Sequence, residues 1–295
     1  MPLNVTLPQA VASPPRPCPD VAPAIARLAV RSLYVELKLY PKPGLVSMRD
    51  TGAHADMDAS TFMRSLFALR HYFAAIARAG TRLASMAELR RLGVAAETRM
   101  LRATRDVNTH RGAIFALGMM CAAAGRAWAH DGVATDDGLR AILARHWRRD
   151  LLAVETCTAE APSHGRQMAA RHGASGARGE AIGGFPSVFA IALPALRGAL
   201  ARGACDEHAQ LHAFFSLLAN VVDTNVLYRG GHGALRRLQC EAGQFLADGS
   251  VFSDGWPNRA EAMHRRCARE GTSPGGCADL LAASWFVHQW QTVAR

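Results

Sequence analysis

Apolar side chains return every three to four residues along almost the whole chain. No stretch alternates apolar and polar positions as a half-buried strand would. Phe62, Leu66, Leu69, Phe73 and Ile76, for example, fall on one helical face. A first helix opens near Asp20 with Pro23 in its first turn and reaches Lys38, where the sequence YPKPG stops it. Ser85 and Glu88 in SMAE form a capping-box signature, with Ser85 as N-cap and Glu88 as its reciprocal partner, for a helix running to about Arg102. The same periodicity predicts helices over 111–130, 136–154, 181–202, 206–227, 231–248, 258–270 and 275–293. The expected fold is all-α: a single large multi-helix globule of about ten helices over residues 20–295, behind proline-rich residues 1–19 expected to be disordered.

Composition sharpens this picture at three points. The chain has 295 residues, 49% of them hydrophobic and 20% charged, enough to bury a large core. Its net charge of +10 would suit an anionic partner, or be no more than a solvated arginine surface. The short runs RHWRRD and HRRCAR are broken by apolar residues, which fits helix faces better than a nucleic-acid arm. Seven scattered cysteines without a CxxC pair imply free thiols in a reducing cytoplasm and neither a disulfide framework nor a cysteine zinc site. No signal peptide is apparent, and no apolar run approaches the roughly 20 residues a membrane span needs.

Candidate chemistry lies in five glycine-rich connections, which read PKPGLVSMRDTGAHADMD, TRDVNTHRGA, APSHGRQMAARHGASGARGEAIGGF, DTNVLYRGGHG and GTSPGGCADLL. Glycine lets a backbone approach a ligand, and N–H groups at a following helix start attract anions. Any one of these could be an ordinary turn; together they predict loops converging on one site. The chain has only two lysines, Lys38 and Lys42, five residues apart by inclusive count. Lys38 suits the negative end of the first helix, whereas Lys42 is fixed between two prolines as a point charge for phosphate. Gly44 follows it. His54, Asp56 and Asp58 fall within five residues, and Asp-x-Asp supplies oxygen ligands of the kind magnesium takes, unless Asp58 or Ser60 only caps the next helix. Asn108, His110 and Arg111 open another helix, where cations oppose the dipole unless an anion binds there. Glu180 stands beside Gly183 and Gly184. Asp223, Asn225 and Arg229 mix carboxylate, amide and cation, and Asp279 falls in the first turn of the last helix. His208 and His212 lack the glutamate of a zinc-protease motif, and no dinucleotide, P-loop or hydrolase-elbow signature is present.

Five motifs in this order, PKPGLV…GAHADMD…F…S…AL (its tail Phe62, Ser65 and Ala68-Leu69), NTHRGAIFALG, GEAIGGF, DTNVLYRGG and SPGGCADLLA, resemble the triphosphoribosyl-dephospho-CoA synthase family from about residue 24 to 293. The resemblance implies that ATP and 3′-dephospho-CoA combine with release of adenine. The dephospho-CoA 2′-hydroxyl attacks C1 of the ATP ribose, and the triphosphate stays on the product. That product would be the prosthetic-group precursor for the acyl-carrier protein of malonate decarboxylase or citrate lyase. It further implies Mg2+ at Asp56 and Asp58, with Asp223, Asp279, Glu36 and Glu180 as the catalytic carboxylates. Lys42, Gly44, His54, Asn108, His110, Arg111, Asn225 and Arg229 would then contact substrate. The expected partners are the two nucleotides, with no nucleic acid or membrane, in a cytoplasmic protein compatible with a homodimer. Two rival readings remain: an enzyme that cleaves the same ribosyl–base bond with another acceptor, and a basic helical nucleic-acid-binding module.

Overall fold

A computed structural model of the chain describes residues 20–131, 135–153 and 176–293. Within them lie twelve α-helices and no strand: α1 (Ala22–Lys38), α2 (Ala59–Thr81), α3 (Met86–Thr104), α4 (Arg111–Asp131), α5 (Asp136–His146), α6 (Arg148–Ala153), α7 (Gly176–Ile182), α8 (Leu193–Ala201), α9 (Asp206–Asn220), α10 (Thr224–Ala247), α11 (Trp256–Arg269) and α12 (Gly275–Val293). A π-helical turn, Ser187–Ala192, leads into α8, and a 3-10 turn, Ser250–Phe252, precedes α11.

Helix α2 lies against α1, α3 and α4, and α12 packs on α4 and α1 before reaching α9. The core so formed buries Phe73, Leu117, Phe214, Phe215, Phe286 and Trp290 almost completely, at roughly 2–3 kcal/mol each for removal from water. Small residues set the closest crossing. A Cβ on Gly80 would stand 2.0 Å from the Ala122 carbonyl oxygen, and one on Gly125 would stand 2.2 Å from that of Ala77. Helices α2 and α4 therefore touch backbone to backbone.

Several boundaries depart from the sequence periodicity, each for a local reason. Twelve helices replace about ten because two expected helices each break in two, while a third gives its last residues to the next. The segment 136–154 breaks at Trp147, a buried residue whose indole N–H donates to the Ala84 carbonyl at 3.0 Å. The segment 181–202 breaks where Phe185 takes φ 56°, just after Gly183 and Gly184. The segment 206–227 ends at Asn220, and Asp223 caps a new helix. DTNVLYRGGHG is thus the first part of α10, kinked at Gly231, rather than a loop. The capping box is half made: Ser85 Oγ accepts from the Glu88 N–H, but the Glu88 carboxylate turns to Arg82. Helix α4 does meet the length and hydropathy of a membrane span over Arg111–His130, contrary to the sequence reading, yet 72% of that window is buried inside the globule. The described cysteines are all free thiols. Residues 1–19 and most of APSHGRQMAARHGASG lie outside the described residues.

Candidate active site

The start of α12 is the meeting point. Thr272, Ser273 and Pro274 lead into Gly275 and Gly276, which have no side chains and leave room for the end of α10. Asp223 fills that room. Its Oδ1 accepts from the N–H groups of Asn225 (2.8 Å) and Val226 (3.3 Å), capping α10, while its Oδ2 accepts from the Cys277 N–H (2.9 Å). One buried carboxylate therefore closes the N-termini of two helices, where the dipoles favour negative charge. Burial still outweighs these donors and raises its pKa above the ordinary carboxylate value.

Asp279, one turn along α12, faces the start of α4. It accepts from the Ala113 N–H, and its Oδ2 lies where a Cβ on Gly112 would fall, 1.9 Å away. It keeps an accessible face although protein surrounds it closely. Burial, then the neighbouring charges of Glu36 and Asp223, push its pKa well above the ordinary range. Glu180 completes the acidic group through its field on the Cys277 thiol, which Asp223 and Asp279 also raise after burial. It binds the start of the π-helical turn, accepting from Ser187 N–H (3.1 Å) and Ser187 Oγ–H (2.6 Å).

Lys42 is the buried cation of this cluster. Its ammonium donates to the Glu36 carboxylate and to the Glu36 carbonyl oxygen (2.6 Å), while burial lowers its pKa. The loop that carries it is held from both sides. Gly44 has φ +70°, and a Cβ there would meet the Thr272 carbonyl oxygen at 1.9 Å, so only glycine fits. His264, buried on α11, donates from Nδ1 to the Lys42 carbonyl (2.6 Å) and faces Asp50 with Nε2 (3.0 Å). Sequence reading took HRRCAR as a helix face and missed His264. Only its place in that surface-like run was visible, and its long-range partners were not. A groove of about 360 Å³ bounded by Asp50, Thr51, Gly52, His264, Arg265 and Arg269 adjoins this loop but includes none of the four carboxylates.

His110 sits just ahead of α4, buried, with Nδ1 2.7 Å from Ser65 Oγ. Burial, reinforced by the charge of Lys42, pulls its pKa down to about 3. It is neutral at physiological pH, whereas the sequence reading had counted it among the cations for a triphosphate.

A second tier forms the rim. His54 Nε2 bonds Ser273 Oγ at 2.8 Å, and its Nδ1 faces Arg229 at 3.3 Å and the exposed Asp56 at 3.6 Å. Burial and then Arg229 lower its pKa. Arg229 is exposed, and Asn225 touches Gly275. The remaining sequence candidates stand apart. Asp58 caps α2, its Oδ1 accepting from Thr61 N–H (2.8 Å), Thr61 Oγ1–H (2.7 Å) and Ser60 Oγ–H (2.8 Å), and these bonds lower its pKa to about 2. Asn108 caps α4 through the Arg111 N–H (3.1 Å), and the Arg111 side chain turns outward to Glu97 on α3. Among the described residues, no three His, Cys, Asp or Glu side chains form a ready metal cage.

An all-helical protein with a carboxylate cluster built on helix N-termini is the class that this architecture defines. A family model described as ATP:dephospho-CoA triphosphoribosyl transferase matches residues 22–294, and the chain belongs to that family. Among its relatives, the 2-(5''-triphosphoribosyl)-3'-dephosphocoenzyme-A synthase of Pectobacterium atrosepticum is 39% identical, covering 91% of this chain and 89% of its own. Proteins named as probable synthases of the same compound from Azotobacter vinelandii (40%, 92% of each chain) and Pectobacterium carotovorum (38%, 98% of this chain and 96% of the other) are similar throughout. No solved structure matches.

Proposed function

We propose that the chain transfers the triphosphoribosyl group of ATP to the ribose 2′-hydroxyl of 3′-dephospho-CoA and releases adenine. The supporting observation is the meeting of Glu36, Glu180, Asp223 and Asp279, which come from motifs far apart in sequence, around one helix start. A glycosidic bond that breaks ahead of bond formation leaves positive charge on C1 and the ring oxygen, and fixed carboxylates stabilise it. Their environments divide the work. Asp223 has three backbone donors favouring its charged form and stands as the anion facing C1. Asp279, held towards its acid form, delivers a proton to the departing base. Glu36, beside the Lys42 ammonium, takes the proton of the attacking hydroxyl. The C1–N9 bond breaks with its electron pair going to adenine, and the C1–O bond forms from the opposite face in one inverting displacement. The hydroxyl proton passes to Glu36, and an equal proton leaves Asp279 for the base.

The donor chemistry fits a magnesium ion, which binds through one or two carboxylates plus waters and substrate phosphates rather than through a full protein cage. We assign Asp56, the exposed carboxylate at the rim, to hold it beside His54 and Arg229, with Asp58 fixing the loop by capping α2. Magnesium bound there supplies charge neutralisation for the triphosphate. The product would serve the acyl-carrier protein of malonate decarboxylase or citrate lyase.

Purified protein incubated with ATP, magnesium and 3′-dephospho-CoA should release adenine, read by chromatography, only when both nucleotides are present. Adenine from ATP alone would make it a hydrolase, and no adenine in any mixture would end this reading.

A further inference from the structure

Ser65, the serine in the tail of the first motif, has no role assigned above, yet it is fully buried on α2 and, among the described residues, makes a single side-chain hydrogen bond, to His110 Nδ1. Other buried hydroxyls on these helices, Ser32, Ser216, Ser284 and Thr104, donate to the carbonyl four residues earlier. Ser65 does not, so its proton has one acceptor, Nδ1. A neutral imidazole that accepts at Nδ1 carries its own proton on Nε2. That Nε2 is buried and, among the described residues, has no partner. Leaving a buried donor unpaired is costly, and a bound acceptor would recover that cost.

The surroundings say what kind of acceptor. Phe62 meets the His110 ring edge-on, 4.9 Å between centroids. Phe62 and Val107 in turn pack on the apolar group of Leu37, Val46 and Met57. A flat apolar wall beside one neutral donor suits a nucleobase rather than a phosphate. Burial, reinforced by the charge of Lys42, keeps the ring from taking a second proton.

We propose that Ser65 and His110 form a fixed pair that presents His110 Nε2–H to a ring nitrogen of the bound purine. This inference rests on the transferase reading above. As the C1–N9 bond breaks, its electron pair moves into the base, and the Nε2–H bond stabilises the charge that gathers there without giving up its proton. Ser65 is a positioning residue that acts through the tautomer of His110, as a fixed donor does in other sites using neutral imidazole.

The test compares Ser65→Ala, Ser65→Thr and His110→Ala with the unmodified enzyme, using ATP, 7-deaza-ATP and 3-deaza-ATP. Ser65→Ala should lower kcat for adenine release about 10-fold with little change in KM for ATP, and Ser65→Thr should restore most of it. One deaza analogue should slow the unmodified enzyme by the same factor as His110→Ala, and that variant should no longer distinguish it from ATP. Nitrogen NMR of 15N-histidine-labelled enzyme should place the proton on Nε2, and Ser65→Ala should mix the two tautomers. A proton on Nδ1, or unchanged kcat in folded Ser65→Ala, would overturn the pairing. Absence of adenine release by the unmodified enzyme would instead overturn the transferase reading and leave the NMR result to judge the tautomer.

Discussion

Halfway along α4, Gly125 rests against the Ala77 carbonyl oxygen, and Gly80 of α2 rests against that of Ala122. At the start of the same helix, Gly112 is pressed just as closely, but by the Asp279 carboxylate. The distances that an added methyl would meet are nearly equal, 2.0–2.2 Å in the first place and 1.9 Å in the second. The obstacles differ. A helix backbone cannot yield without moving its whole turn, whereas a side chain can rotate away. The crossing of α2 and α4 is therefore space reserved for the fold, and the junction of α4 with α12 is space reserved for a carboxylate. The first region is apolar; the second gathers four acids, one of which, Glu36, is paired with the buried Lys42 ammonium.

The sharpest way to separate the regions is to remove that ammonium. Lys42→Met should destabilise the protein by about 3–5 kcal/mol in urea unfolding, because Glu36 would be left buried and unpaired, and Lys42→Met with Glu36→Leu should recover most of the loss. Gly112→Ala comes next. It should leave unfolding within about 1 kcal/mol of the unmodified protein, since alanine also favours the helix, yet lower kcat/KM for adenine release about 100-fold by displacing Asp279. Gly80→Ala should do the reverse, costing about 1–3 kcal/mol while leaving activity per folded molecule unchanged.

The smallest expected effect is on stability at Asp279. A carboxyl whose folded pKa is raised binds more protons folded than unfolded, so stability is fully present below the unfolded value, 3.8, and is lost as pH rises through the folded pKa. Asp279→Asn keeps the acceptor for Ala113 N–H and cannot ionise. It should raise the melting temperature of the ligand-free protein at pH 7 by roughly 2–4 °C, about 1 kcal/mol, and flatten the decline in stability as pH rises above the ordinary carboxylate value. An unchanged melting profile would mean that the pocket is not strained by its own charge. His110 works in the opposite sense. Its pKa is pulled down to about 3, so its contribution is lost as pH falls from the ordinary histidine value of 6.5 towards 3.

The helices were legible because their apolar period is a local property, and so was the role of Pro23 at the start of α1. The breaks were less so. Trp147 ends a helix through a bond to Ala84, 63 residues away, and nothing near Trp147 announces that. At the site, motif membership singled out Lys42, Asp223 and Asp279, although an acid at a helix start is often only a cap and Asp223 was expected inside a helix rather than at its start. Asp58 and Arg111 carry equally suggestive neighbours, yet one completes a cap and the other an ion pair with Glu97. Position along a motif cannot distinguish a side chain facing the pocket from one facing out. His264, and the part played by Ser65 within its motif, were invisible for the complementary reason: their partners, Lys42 and His110, lie 222 and 45 residues away.

The central claim, that transfer takes place among the carboxylates at the start of α12, is tested most directly by adenine release from folded Asp279→Asn supplied with ATP, magnesium and 3′-dephospho-CoA. The account predicts a loss of at least about 100-fold in kcat with circular dichroism unchanged. Release at the rate of the unmodified enzyme would contradict it.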